Sequence, residues 1–236
     1  MMMEQVLYDL LAYIERLIDS GIKEIIFTGI HLGLYGKDLD FNLAKLIREV
    51  SKIKDLHRLR LGSLESVEMT DALIDLMKTD SRICNHVHLP LQSGSDEILK
   101  LMRRPYVTKN FAALTEKLVA EIPDISIGTD LIVGFPNETD ELFEETLNFI
   151  KNQPFSKIHV FPFSARSGTI AADMPNQIPA QIKKLRAGLA IEVSNIKERI
   201  FSEKLIGKTI EIIAETENDG LIDGLTKNYV RVYVPD

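Results

Sequence analysis

Ile125-Ser-Ile-Gly-Thr-Asp-Leu-Ile-Val-Gly134 is the longest of five short apolar runs, each ending in Gly, Ser or Pro-rich polar loops. The others are Glu24-Ile-Ile-Phe-Thr-Gly29, Arg58-Leu-Arg-Leu-Gly-Ser63, His86-Val-His-Leu-Pro-Leu91 and Lys157-Ile-His-Val-Phe-Pro-Phe163. Longer stretches with helical periodicity separate them. Strands alternating with helices form parallel sheets, so a barrel or an open α/β sheet is predicted. Ligands of such folds gather at the carboxyl ends of the strands, which makes the polar residues after each run the candidate site.

Outward from these runs, helices read at about Leu43–Ile53, Asp71–Lys78, Asp96–Met102, Asn110–Ile122 and Asp140–Asn152, with Thr70, Ser95, Thr108 and Thr139 as N-caps. Before the first strand, Val6, Leu7, Leu10, Leu11, Ile14, Leu17 and Ile18 recur at helical spacing, and Gly21 is a stop. A helix without a preceding strand is an odd start for a parallel sheet, and suggests a cut chain. After the fifth run come a Gly- and Pro-containing loop, Ser164–Pro179, and one long charged helix, Ala180–Leu205, weakened only by Gly188. From Gly207 the texture changes. Lys208–Ala214 and Tyr229–Val234, around Gly220 and Gly224, read as a small all-β unit too short to bury its own core. Its end at Asp236 reads as cut off. The predicted domains are 1–205 and 206–236.

A chain of 236 residues, 45% hydrophobic and 27% charged, buries one sizeable core or one core with an appendage. Mean hydropathy is near zero and no 18-residue apolar stretch exists, which argues against a membrane span. Met1-Met2-Met3-Glu4 lacks signal-peptide features, and the single cysteine, Cys84, excludes an internal disulfide and suits a reducing cytoplasm. One thiol also excludes a cysteine-only cluster site within this chain. The net charge of −7 argues against a nucleic-acid partner, although a local basic patch would suffice.

Candidate chemistry lies at the run ends. His86 and His88 share one face of their strand, either as hydrogen-bonded interior residues or pointing into a barrel. Gln92-Ser-Gly-Ser95 is a polar turn in which Ser95 serves as N-cap or ligand group. Asp130 stands in an apolar run and needs a donor, from a ligand or from the protein. Thr28-Gly29 with Gly33 and Gly36 leaves backbone amides free, Ser63 and Glu65 close the second strand, and Arg103 and Arg104 follow the helix after Ser95.

Three stretches together, His88-Leu-Pro-Leu-Gln-Ser-Gly-Ser-Asp-Glu-Ile-Leu-Lys-Leu-Met-Arg103, Gly128-Thr-Asp-Leu-Ile-Val-Gly-Phe-Pro136 and Phe161-Pro-Phe-Ser-Ala-Arg-Ser-Gly-Thr169, closely resemble the radical-SAM methylthiotransferases. The resemblance spans roughly 21–205. Pro154-Phe-Ser-Lys-Ile-His-Val-Phe-Pro162 and Met174-Pro-Asn-Gln177 look most like the branch acting on threonylcarbamoyladenosine in tRNA, with the isopentenyladenosine and ribosomal-protein branches as alternatives. Residues 207–235, with Asp223-Gly-Leu-Thr-Lys-Asn-Tyr229, resemble the start of the RNA-binding TRAM barrel.

The resemblance implies an incomplete, TIM-barrel-like parallel (β/α) barrel lacking its first strand, and a cytoplasmic tRNA-processing transferase. Its cofactors would be S-adenosylmethionine and 4Fe–4S clusters, the latter only in a longer parent. Thr28 and Gly29 would receive the methionine amine. Ser63, Glu65, Gln92, Arg104 and Asp130 would make polar contacts to methionine and ribose, and Phe161 to Phe163 would lie beside adenine. The chain departs from the family in lacking its N-terminal domain and its CxxxCxxC loop, so an inactive piece of a longer enzyme is expected, its open sheet edge inviting a dimer. Asn137, Ser66 and Ile170 stand where Gly or Pro is usual. Another radical-SAM barrel, a phosphate-binding barrel and a non-catalytic RNA-binding module are the competing readings.

Overall fold

The computed structural model describes residues 2–37 and 41–235. Met1 and Asp236, on which the leader-free start and the cut end rest, lie outside the described residues. The chain divides into two compact units, residues 1–88, 121–125 and 208–236, and residues 89–120 and 126–207.

The first unit opens with α1 (Met2–Asp19), β1 (Glu24–Phe27), α2 (Leu43–Val50), β2 (Arg58–Leu61), α3 (Asp71–Thr79) and β3 (His86–His88). β1 and β2 run parallel, Glu24 opposite Arg58 through Phe27 opposite Leu61. Parallel bridges Leu59–Ile83 and Ser63–His88 carry β2 on to the third run. Leu59, Leu61, Ile47, Val50, Leu73 and Ile74 are nearly or fully buried, which explains why these apolar spacings form helices laid on a sheet. Thr70 accepts the Leu73 amide and caps α3 as expected.

The same unit holds an antiparallel sheet of β6 (Ile212–Asn218), β7 (Leu221–Thr226) and β8 (Arg231–Pro235), in the order β6-β7-β8. In the sequence Gly224 is only one of two glycines around which a small all-β unit reads. It lies inside β7, where a Cβ would come 2.1 Å from the Ile213 carbonyl oxygen, beside a register shift between Ala214 and Thr216. Close backbone approach at a bulge, rather than a turn, requires glycine there.

The second unit contains α4 (Asp96–Leu101), α5 (Thr108–Glu121), β4 (Ser126–Val133), α6 (Asp140–Asn152), β5 (Lys157–Pro162) and α7 (Ala180–Glu203). β4 and β5 are parallel, with Gly128 opposite Lys157 and Val133 opposite Pro162. On β5, the Ile158 amide donates to Ser194 Oγ (3.0 Å) and Ser194 Oγ donates to the Ile158 carbonyl (2.9 Å), so α7 covers that strand's outer edge. Thr139 caps α6 through the Leu142 amide. One cap assignment changes. Thr108 is the first residue of α5, and Ser95 holds the N-cap position of α4 without a side-chain capping bond.

Candidate active site

In the first unit the polar ends of β1 and β2 meet because Gly62 lets them close. Its amide donates to the Phe27 carbonyl at 2.7 Å, and a Cβ there would stand 2.9 Å from that oxygen and 3.3 Å from Thr28 Cα. Thr28, Gly29 and Ser63 are exposed beyond the strands and Glu65 is half-buried. One carboxylate ties their loops together. Glu68, buried, accepts the Gly33 amide (3.2 Å) and the Glu65 amide (3.2 Å) on Oε2 and faces His31 Nδ1 at 3.1 Å through Oε1. A Cβ on Gly33 would lie 2.3 Å from Glu68 Cβ. Sequence reasoning did not single out Glu68, since a Glu in a polar loop carries no signal until its partners are in place.

In the second unit, the Gln92 amide donates to the Asp130 carbonyl at 2.9 Å, which sets these two residues on neighbouring strands. Asp130, expected to be buried, is half-buried. The burial of β4 alternates past Thr129, and Asp130 shares the more open face with Ile132. Arg104 is placed by the end of α4. Arg103 takes a left-handed backbone (φ 56°), its amide donates to Lys100 O, and the Arg104 amide donates to Leu99 O (2.9 Å), the double bond of a Schellman ending.

The aromatic residues at the end of β5 divide. Phe161 is half exposed, whereas Phe163 packs edge-on to Phe135 at 5.0 Å. Lys183 of α7 donates to the Phe163 carbonyl (2.9 Å) and lies 5.2 Å over its ring. One turn further, Arg186 donates to Glu138 Oε2 (2.8 Å), the Glu138 carbonyl (2.8 Å) and Asp140 Oδ1 (2.7 Å), while the Gly134 amide donates to Glu138 Oε2 at 2.6 Å. Burial raises the Glu138 carboxyl pKa, opposed by the Gly134 amide and the Arg186 charge. Two residues of α7 thus hold the loops that follow β4 and β5. Their signal in the sequence, basic residues three apart on an otherwise mixed helix, does not stand out from an ordinary solvated face.

His86 and Cys84 lie in the interior. His86 is buried and stacks on Tyr229 at 4.5 Å, and burial, followed by the charge of Arg60, lowers its pKa to about 3. Cys84 is buried, and burial pushes its thiol up to about 11. Among the described residues no three His, Cys, Asp or Glu side chains stand together where they could hold a metal ion. The residues present do not fit an iron–sulfur cluster.

Also missed were Arg58 and Arg60, both buried. The alternation Arg58-Leu-Arg-Leu61 is their signal, since it puts two cations on one face of a strand. Arg58 donates to the Leu225 and Glu211 carbonyls (2.8 and 2.9 Å), and Arg60 to those of Lys227 and Thr226 (3.0 and 3.2 Å). Arg60 also forks onto both oxygens of Glu24 (2.6 and 3.2 Å). These bonds fasten the antiparallel sheet to β2.

Parallel strands with intervening helices define a β/α fold. Residues 4–150 match the model of the Radical SAM superfamily. The chain belongs to that superfamily. It is 41% identical over 225 residues to threonylcarbamoyladenosine tRNA methylthiotransferase MtaB of Bacillus subtilis, covering 92% of this chain and 50% of that protein. It is 38% identical over 232 residues to tRNA-2-methylthio-N(6)-dimethylallyladenosine synthase of Desulfitobacterium hafniense, covering 96% and 52%. The chain spans about half the length of the curated relatives it matches. Among solved structures, coproporphyrinogen III oxidase HemN of Escherichia coli, a radical SAM enzyme, aligns with TM-score 0.58 at 18% identity over 81% of this chain and 46% of that one. The radical SAM methyltransferase TsrM of Kitasatospora setae aligns with TM-score 0.54 at 18% identity, over 66% and 30%. These two likenesses show the fold. Among the described residues no helix is long and apolar enough to cross a membrane.

Proposed function

We propose that this chain is the barrel portion of a methylthiotransferase that modifies threonylcarbamoyladenosine in tRNA. The observation that carries the reading is the 41% identity with the Bacillus subtilis protein over nearly the whole chain. The 38% identity with dimethylallyladenosine-directed synthases supports the second reading, the same chemistry on the other modified adenosine. A free-standing RNA-binding module is the weaker alternative. Residues 208–235 carry Glu211, Glu215, Glu217, Asp219 and Asp223 against Lys208, Lys227 and Arg231, an acidic balance that disfavours phosphate binding on its own.

On this reading the strand ends would hold S-adenosylmethionine, which in the longer enzyme would supply the radical chemistry needed at an unreactive base carbon. Thr28 and Gly29 hold the methionine amine through their backbone. Ser63, Glu65, Gln92, Arg104 and Asp130 provide polar contacts to methionine and ribose, and Phe161 and Phe163 supply apolar surface for adenine. The exposure of Thr28 and Gly29 beyond paired strands supports the first of these roles. This chain's own residues supply no cluster step. With one buried thiol, the 236-residue chain by itself is expected to be inactive.

Deleting the gene and digesting total tRNA to nucleosides for mass spectrometry tests the assignment. Loss of the methylthio form of threonylcarbamoyladenosine, with its unmodified precursor accumulating, is expected. Loss of the methylthio form of dimethylallyladenosine instead would transfer the chain to the second reading.

A further inference from the structure

We infer that Arg166 binds the carboxylate of the modified adenosine, and so discriminates between the two adenosines considered above. The inference rests on the proposed substrate. Threonylcarbamoyladenosine ends in the carboxylate of threonine, whereas the dimethylallyl group is an uncharged hydrocarbon.

Arg166 stands just past the carboxyl end of β5. Phe163 is still tied to the sheet, its amide donating to the Val133 carbonyl (2.8 Å), and Arg166 follows within about 11 Å of chain. The chain then turns. The Thr169 amide and Thr169 Oγ1 both donate to the Arg166 carbonyl (3.1 and 2.8 Å), and Gly168 has φ 81°. A four-residue turn with positive φ at its third position requires glycine there. Beyond it the Ala172 amide donates to the Thr169 carbonyl (3.0 Å), and Gln177 Nε2 donates to the carbonyls of Ala171 (2.9 Å) and Met174 (3.1 Å). Phe163 on one side of the turn, and Ala171 and Met174 on the other, pack against buried Ile98, Phe135 and Leu142. Anchored at both ends, the turn itself is exposed throughout.

Among the described residues the Arg166 guanidinium has no hydrogen bond, ion pair or ring contact. Neighbouring cations of this unit are spent on the protein: Lys183 on the Phe163 carbonyl, Arg186 on Glu138 and Asp140, Lys157 on Glu198. Residues 164–172 carry no other charge. A path for backbone phosphates takes several cations, whereas one planar guanidinium matches one carboxylate in a bidentate pair. A turn already held by its own hydrogen bonds loses little freedom when it binds.

Anticodon stem-loop RNAs that differ only at the modified adenosine test this, titrated against the chain by fluorescence anisotropy at fixed salt. One carries threonylcarbamoyladenosine, one its methyl ester and one dimethylallyladenosine. The wild type should bind the carboxylate form roughly tenfold more tightly than the ester. Arg166→Gln should erase that difference and bind the ester as the wild type does, and Arg166→Lys should keep only part of it. Because the side chain touches nothing in the protein, Arg166→Gln should melt within about 2 °C of the wild type. A preference for the carboxylate that survives in Arg166→Gln overturns the inference. So does an equal weakening of carboxylate and ester, which would give the guanidinium to a phosphate. A wild type that binds both alike, or neither, overturns it as well. A wild type that favours the dimethylallyl RNA overturns the proposed substrate, and the inference with it.

Discussion

The Arg60 guanidinium lies 4.9 Å over the ring of Tyr229, and His86 stacks on the same ring at 4.5 Å. A cation, an aromatic ring and a neutral imidazole thus form one cluster where β2, β3 and the turn joining β7 to β8 come together. The cluster explains why the antiparallel segment, too small to fold alone, is ordered here: β2 supplies the core it lacks.

Removing Arg60 should loosen that segment first. Arg60→Ala leaves Glu24, largely buried, without its bidentate partner and strips donors from two carbonyls. A loss of about 3 to 5 kcal/mol is expected. Hydrogen exchange should show Leu221–Thr226 losing protection before β4. Unchanged protection of β7 would mean the arginine is dispensable.

Acid should act through His86. Its folded pKa of about 3 lies below the ordinary value of 6.5, so below pH 6.5 the unfolded chain binds the proton and the folded chain does not. The stability of the neutral form is complete above pH 6.5 and is lost as pH falls towards 3, by about 1.4 kcal/mol per unit between roughly pH 6 and 4. Urea midpoints of wild type and His86→Phe, compared from pH 7 to 4, isolate this slope from the other histidines. Parallel pH curves would show that His86 does not contribute.

Glu68 should matter more than its loop position suggests. Glu68→Ala frees two backbone amides and His31 at once, for an expected cost of about 1 to 3 kcal/mol. On the proposed reading, S-adenosylmethionine affinity should fall with it, because Thr28, Gly29 and Glu65 ride on the loops it joins. Thermal melting and ligand titration on one sample separate the two effects. Affinity that holds while stability drops would remove these loops from the site.

Asn137 and Asn176 both have left-handed backbones, φ 69° and 57°, and pair through Asn176 Nδ2 and Asn137 Oδ1 at 2.7 Å and through the Asn137 amide and Asn176 carbonyl at 3.1 Å. Asparagine at 137 therefore adds a tie to the loop before α7. Asn137→Ala should cost about 1 to 2 kcal/mol and expose Ser164–Pro179 to proteolysis, whereas Asn137→Gly should cost less. Equal resistance of both variants would show that the tie is idle.

Element order and type were legible in the residues themselves. Apolar runs bounded by Gly and Pro form β1 to β5, and Asp140–Asn152 matches α6 to the residue, because one-sided burial imposes its period directly on the sequence. The β6–β8 segment was only half legible. Glycine inside β7 mimics a turn until the opposing Ile213 carbonyl is in place.

The sequence by itself determined the parallel β/α plan, the family and which loops end the strands, since each follows from local pattern or from motif spacing. Tertiary structure alone decided that Arg58 and Arg60 serve carbonyls more than 150 residues away, and that Glu68 joins two loops. Such features depend on which backbone groups remain unpaired once the strands align. No single stretch of chain encodes that remainder.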